Sequence, residues 1–236
     1  MILAAGFGTR LKPFTDRHPK ALFPVNGKSL LQRNVEYLQQ YGIKEVIVNV
    51  HHFAEQIIEA VETNKGWGSQ ISISDETSEI LETGGGLKKA AGYFSEAAPF
   101  VLMNADILTR MNLGLMLEQH RFYKPLATLA VAQRKSSRYF LFDGDETLCG
   151  WEHTGTGEKK RVRAATTPLR PFAFSGIHII EPAIFPLMTQ SGKFSMVDVY
   201  LGLCDRFLIH GYDHTRELVL DVGKPGALEE AEKHFA

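Results

Sequence analysis

Two glycines, an arginine, a lysine and two distant aspartates are the residues of this 236-residue chain whose types and spacing point to chemistry. The run Leu3-Ala4-Ala5-Gly6-Phe7-Gly8-Thr9-Arg10-Leu11 sets Gly6 and Gly8 directly after an apolar stretch. Glycine reaches backbone angles closed to other residues, so the main chain there can approach an anion and aim successive N–H groups at phosphate oxygens. Thr9 adds a hydroxyl donor and Arg10 a planar fork suited to phosphate. Two better-known phosphate loops do not fit. A dinucleotide fingerprint needs a third glycine where Leu11 stands, and a P-loop ending in Gly27-Lys28-Ser29 needs a glycine at Leu22. Taken alone, Gly6 and Gly8 also allow the plainer reading of a tight strand-to-helix turn.

The next segment adds a cation. Pro13, Thr15, Pro19, Lys20, Pro24, Val25 and Gly27 make a rigid, poorly helical excursion in which Lys20 sits between prolines, close to the glycine turn. A compact ammonium there can neutralise charge on a transferring phosphoryl group. Two carboxylates complete the set. Asp106 follows the apolar run Phe100 to Met103, and Asp221 follows Leu218-Val219-Leu220. Each alone reads equally well as a cap or turn former. Together, at the carboxyl ends of strands collected on one face of a parallel sheet, they suit Mg²⁺, which prefers oxygen ligands and keeps several waters. Asp143 and Asp145 flank a glycine and read as a hairpin turn. His51 and His52 read as satisfied loop histidines, and no Ser-His-Asp or Cys-His arrangement stands out.

Bulk composition narrows the partners. Hydrophobic residues make up 44% and charged residues 22%, ordinary for a globular protein. With 26 Lys and Arg against 27 Asp and Glu, neither a nucleic acid nor a membrane is expected as partner. Cys149 and Cys204 stand apart without zinc-site spacing and read as reduced spectators in a cytoplasmic setting. No signal peptide and no bilayer-spanning stretch is expected.

Strand and helix patterns alternate over the first 130 or so residues. Strands are expected at Met1 to Ala5, Ile43 to Val50, Ile71 to Ser74, Phe100 to Met103 and Leu126 to Ala132. Helices are expected over Ser29 to Tyr41, Phe53 to Thr63, after the Gly84-Gly85-Gly86 cluster through Ala90, and around Leu113 to His120. That alternation predicts an α/β fold with a mostly parallel, Rossmann-like sheet between two helical layers, and right-handed crossovers. Residues 134–170 are polar and turn-rich and read as a hairpin insertion over the sheet edge of a single domain, 1–236, a natural place to contact a second substrate, with strands at Tyr139 to Phe142 and Leu148 to Trp151. Phe172 to Ile180, a helix near Ser195 to Arg206, a strand at Leu218 to Leu220 and a closing helix follow, with Pro225 at that helix's first turn.

The opening run, with Pro13, Thr15 and Pro19-Lys20-Ala21-Leu22, resembles the signature of the sugar-1-phosphate nucleotidylyltransferases, and later motifs arrive in the same order along nearly the whole chain. The resemblance implies a nucleotide-diphospho-sugar transferase fold of the GT-A-like kind. It implies nucleotide contacts from Ala4, Ala5, Gly6, Gly8, Thr9, Arg10, Thr83 and Gly84. It also implies acceptor contacts from Gly86, Asn104, Gly176 and Glu181, catalytic roles for Arg10, Lys20, Asp106 and Asp221, and Mg²⁺ on Asp106 and Asp221. Glu181 is equally the cap of the helix that Pro182 begins. The expected partners are a nucleoside triphosphate and a sugar 1-phosphate, and the expected state is a monomer or homodimer. Within the family, the short length and the Glu82-Thr83-Gly84-Gly85-Gly86 form are similar to the N-acetylmuramate-1-phosphate uridylyltransferases of peptidoglycan recycling. Mannose- and heptose-1-phosphate guanylyltransferases are the alternative, and a noncatalytic nucleotide-sugar sensor is a third. Lys224 stands where many members carry threonine.

Overall fold

The computed structural model describes residues 1–95, 98–224 and 226–235. In chain order the strands are β1 (Ile2–Leu3), β2 (Pro24–Val25), β3 (Lys28–Ser29), β4 (Glu45–Val50), β5 (Gln70–Asp75), β6 (Phe100–Asn104), β7 (Ile107–Thr109), β8 (Ala127–Ala132), β9 (Arg138–Phe142), β10 (Leu148–His153), β11 (Glu158–Arg161), β12 (Arg170–Ile180), β13 (Ile209–Asp213) and β14 (Val219–Asp221). The α-helices are α1 (Leu30–Gln39), α2 (Ala54–Thr63), α3 (Glu82–Lys89), α4 (Leu113–Tyr123), α5 (Met196–Leu203) and α6 (Ala227–His234). The fold class is α/β, as the alternation predicts. Pro225, expected at the start of the last helix, lies outside the described residues. Among the described residues no helix is long and apolar enough to cross a membrane.

The chain forms two compact units: Met1–Tyr93, Met103–Arg110 and Leu218–Ala236 make the first, Phe94–Leu102 and Met111–Glu217 the second. In the first unit β1 runs parallel to β4 and to the end of β6, with Ile2 opposite Val48 and Met103. β5 extends this parallel sheet from β4. β4 is buried from Val46 to Val50, as its nearly continuous apolar run requires of a central parallel strand. α1 starts where the Ser29 hydroxyl accepts the Gln32 N–H at 3.1 Å and stops before Gly42, whose φ of 76° suits only glycine cheaply.

A separate antiparallel ladder pairs β7 with β14, setting Ile107 opposite Asp221. It rests on a small core of Val25, Leu30, Leu108, Leu220, Val222 and Ala231, to which α6 contributes Ala231 and Leu228. This corrects half of one expectation. Asp106 does follow the carboxyl end of a parallel strand, β6, but Asp221 ends β14, whose partner β7 is antiparallel, so that ladder and not a second parallel strand brings the two together. A second correction concerns Gly84, Gly85 and Gly86, which lie inside α3 and not before it. Glycine costs a helix interior about 1 kcal/mol relative to alanine, and at Gly86 packing supplies the reason. A Cβ there would come within 2.5 Å of Glu76 Oε1 and 3.0 Å of Asn49 Nδ2.

In the second unit β8 pairs antiparallel with β12 and parallel with β13, part of the antiparallel share of a mostly parallel sheet. β9, β10 and β11 form consecutive antiparallel hairpins. The first two contain the strands expected from sequence. Asp143 makes their turn, its Oδ1 accepting the N–H groups of Asp145 at 3.1 Å and Thr147 at 3.0 Å. Both cysteines are buried, and burial pushes the Cys204 thiol up to about 11.

Two buried histidines give this unit a pH response. His178 bonds the Tyr200 hydroxyl at 2.7 Å, and burial lowers its imidazole from the ordinary 6.5 to about 3. His210 is lowered to about 4, first by burial and then by His120. Between those values and 6.5 the unfolded chain binds protons that the folded chain refuses, so the neutral rings' contribution is intact above 6.5 and is lost as pH falls through that window. Urea denaturation across the window should show stability falling by up to about 1.4 kcal/mol per pH unit for each ring. A flat profile down to about pH 5 would show that neither ring is held neutral by the fold.

Candidate active site

All the geometry of the candidate site within the first unit begins at the end of β1. The Ala4 N–H donates to Asn49 Oδ1 at 2.7 Å, which leaves the chain to run through exposed Gly6 and Phe7. Gly8 then takes a left-handed φ of 62°, and the Leu11 N–H returns to its carbonyl at 2.9 Å, closing a turn over Thr9–Leu11. Thr15, buried, donates its hydroxyl to the same carbonyl at 3.0 Å. Gly8 is needed twice, because a Cβ would also meet Lys20 Cβ at 2.7 Å and Thr15 Cγ2 at 2.9 Å. Gly6 has no such neighbour: among the described residues nothing lies within 4 Å of where its Cβ would stand.

The same packing carries Lys20 inward. After Pro19 it opens a single turn, Lys20–Leu22, and is 9% exposed, with Nζ bonded to Asp106 Oδ2. Burying an ammonium is costly unless it is paired, so Asp106 and Lys20 hold each other in place. Arg10 reaches both carboxylates, with guanidinium nitrogens 3.9 Å from Asp106 Oδ2 and 3.7 Å from Asp221 Oδ2. Lys224 also approaches Asp221, at 3.5 Å. The carboxylates themselves are tied through the backbone. The Val222 N–H donates to the Asp106 carbonyl at 2.9 Å, and Asp221 Oδ1 accepts the Gly223 N–H at 3.1 Å. Gly223 has no side chain where Lys20 Nζ, Arg10 and Asp221 crowd together, so any larger residue would displace the cluster.

Three cations therefore face two carboxylates. The Arg10 side chain is 54% exposed, and an ion pair that exposed is worth about 0–1 kcal/mol, so stability alone gives little reason to gather them. A net positive cradle beside a turn of exposed backbone is suited to a polyphosphate. Asp106 and Asp221 offer hard oxygen donors at side-chain exposures of 18% and 21%. Among the described residues no group of three or more His, Cys, Asp or Glu could hold a metal. A cation here would take two carboxylates and complete its shell with water and phosphate oxygens, the habit of Mg²⁺ and not of structural zinc.

The remaining predicted residues are distributed as follows. Ala4 and Ala5 are buried beneath the turn, and Asn104 ends β6 opposite Leu3, two residues before Asp106. Thr83, half-buried, and Gly84, buried, lie in the first turn of α3. Glu82 before them holds a φ of 59°, a conformation that costs a non-glycine residue free energy. Gly86 is buried against Glu76 and Asn49. His51 is satisfied, as expected, through Nδ1 to the Glu76 carbonyl at 2.7 Å. In the second unit, Gly176 sits at φ 74° where the β12–β8 register shifts, so a bulge already requires glycine there. Glu181 occupies the cap position before Pro182 without a side-chain cap bond, and its Oε1 lies 3.1 Å from His120 Nε2.

Sequence reasoning missed Asn49, Glu76 and Asn34. Asn34, 1% exposed, donates to the Ala105 carbonyl at 2.9 Å and so braces the turn carrying Asp106. Asn49 was detectable as a lone polar residue inside Val46-Ile47-Val48-Asn49-Val50.

Residues 1–156 match the family described as nucleotidyl transferase. The whole chain aligns at 32% identity with 96% of an N-acetylmuramate alpha-1-phosphate uridylyltransferase of Caulobacter vibrioides. It also aligns in full, at 28% identity, with 97% of a D-glycero-alpha-D-manno-heptose 1-phosphate guanylyltransferase of Aneurinibacillus thermoaerophilus. Among solved structures, HddC from Yersinia pseudotuberculosis superposes with a TM-score of 0.81 at 24% identity, covering 100% of this chain and 98% of that one, a likeness of fold.

Proposed function

The chain belongs to the nucleotidyl transferase family, and from that premise we propose that it joins a nucleoside triphosphate to a sugar 1-phosphate, releasing pyrophosphate. The observation that carries this reading is the convergence of Arg10 and buried Lys20 on Asp106 and Asp221 beside the glycine turn. In the reaction an oxygen of the sugar phosphate forms a bond to the α-phosphorus as the bond to the β-phosphate oxygen breaks. Both reactants are polyanions, so the protein's task is alignment and charge neutralisation. The exposed N–H groups after Ala5, with Arg10, hold the β- and γ-phosphates that depart. Lys20 stands by the transferred group. Asp106 and Asp221 would hold Mg²⁺, which supplies Lewis-acid stabilisation of the α-phosphate. The sugar phosphate is already ionised near neutral pH, so no general base is needed.

For the substrates, the reading favoured is UTP with N-acetylmuramate 1-phosphate, after the relative matched over the full chain at 32% identity. GTP with a heptose or mannose 1-phosphate is the second reading, supported by the full-length match at 28%. A noncatalytic sensor would not need the complete charge-handling set. The test is a pyrophosphate-release screen crossing UTP, GTP, CTP, dTTP and ATP with N-acetylmuramate, mannose, heptose and glucose 1-phosphates, with and without Mg²⁺. We expect Mg²⁺-dependent release with UTP and N-acetylmuramate 1-phosphate above all others. Release only with GTP selects the second reading, and folded protein releasing pyrophosphate with no pairing overturns the enzymatic one for these substrates.

A further inference from the structure

Beneath the glycine turn lies a buried hydrogen-bond chain that the chemistry above does not use. Asn49 accepts the Ala4 N–H through Oδ1 at 2.7 Å and donates through Nδ2 to Glu76 Oε1 at 2.7 Å. The other oxygen of Glu76, Oε2, accepts the Leu81 N–H at 3.2 Å. Asn49 is 2% exposed and Glu76 is fully buried. Gly86 leaves the space that Glu76 Oε1 occupies.

The hydrogen bonds join two segments with different proposed duties. Ala4 leads into the turn assigned to the triphosphate. Leu81 leads into Thr83 and Gly84, which the family resemblance gives to nucleotide contact. We infer that Asn49 and Glu76 are positioning residues that hold these two segments at the separation a nucleoside triphosphate spans; this rests on the functional reading above. A buried carboxylate is an expensive choice for a spacer, but it is the side chain that accepts at both ends, as the donors Asn49 Nδ2 and Leu81 N–H require. Their hydrogen bonds go to Ala4, to each other and to Leu81, so their action on the nucleotide is through the backbone.

Hydrogen-bond polarity makes this testable. In Glu76→Gln one end of the new amide becomes a donor. Whether it faces Asn49 Nδ2 or the Leu81 N–H, or Asn49 turns over to meet it, two donors end up opposed. In Asn49→Asp two carboxylates face each other. The double variant, carrying Asn49→Asp together with Glu76→Gln, restores the order. Its aspartate accepts from both the Ala4 N–H and the glutamine amide, and the glutamine oxygen accepts from the Leu81 N–H.

The experiment is isothermal titration of UTP and GTP into the wild type, both single variants and the double variant, with melting temperatures recorded alongside. Each single variant should bind its nucleotide about tenfold or more weakly, the size of one misdirected buried hydrogen bond, and the double variant should return to within about threefold of the wild type. In steady state the same pattern should appear in KM for the triphosphate more than in kcat. Single variants that melt earlier yet bind as the wild type overturn the inference, because the hydrogen bonds then serve stability alone. A double variant that regains its melting temperature without regaining affinity also overturns it. If a single variant does not fold, the comparison of double variant with wild type decides by the same criterion. A wild type that binds neither nucleotide overturns the functional reading itself and this inference with it.

Discussion

Asp106→Asn should fold and lose about two to three orders of magnitude in Mg²⁺-dependent turnover, the scale seen when one charge-stabilising group is removed from a transition state. The substitution keeps the shape of the side chain and removes its charge. The backbone reasons for folding survive, since the Val222 N–H bonds the Asp106 main-chain carbonyl and not its carboxylate. Lys20 retains an amide oxygen to meet, but a buried ammonium facing a neutral partner is held less firmly, so a modest fall in melting temperature should accompany the lost rate. The measurement is initial pyrophosphate release against Mg²⁺ concentration, with circular dichroism as the check on folding. Turnover at the wild-type level would remove Asp106 from the metal site. Asp221→Asn should act in the same direction, with Lys224 and Arg10 left without their shared carboxylate.

The second large effect separates two glycines that look alike in sequence. Gly8→Ala meets an unfavourable φ of 62° and close contacts at 2.7 Å with Lys20 Cβ and 2.9 Å with Thr15 Cγ2. The left-handed conformation costs about 1–2 kcal/mol, and overpacking a filled site about 1–3 kcal/mol. A loss of about 2–5 kcal/mol in folding stability should therefore be seen in urea denaturation, together with loss of activity as Lys20 is pushed from Asp106. Gly6→Ala meets no atom within 4 Å and should leave stability nearly unchanged. Its cost should appear only when a phosphate approaches the exposed backbone, as weaker triphosphate binding. If Gly6→Ala binds nucleotide as tightly as the wild type, the turn does not grip phosphate at that residue.

Several parts of the molecule were legible because they depend on local pattern. The helix from Leu30 declares itself through Ser29 before it, Gly42 after it and apolar residues at helical spacing between. β4 declares itself by an apolar run too continuous for an exposed edge. Other parts were not legible. β8 reads the same whether its neighbour runs with it or against it, because pairing direction is set by how β12 and β13 return to it. The glycines of α3 look like a turn ahead of a helix until Glu76 is seen occupying the space beside Gly86.

The candidate site divides along the same line. Residue types alone determined that a glycine turn, an arginine and a proline-framed lysine could serve a phosphate, and that Asp106 and Asp221 were the carboxylates to watch, since these are properties of single side chains and short spacings. Tertiary structure decided how the two aspartates meet, because residues so distant in sequence converge only through the pairing of β7 with β14 over its own small core. It also decided that Gly8 is shaped by Lys20 and Thr15 while Gly6 meets no atom of the described residues, and that Asn49 and Glu76 link Ala4 to Leu81 by hydrogen bonds. Those are contacts that residue types and spacing do not specify, because steric contact and hydrogen-bond polarity exist only once the chain has brought the atoms together.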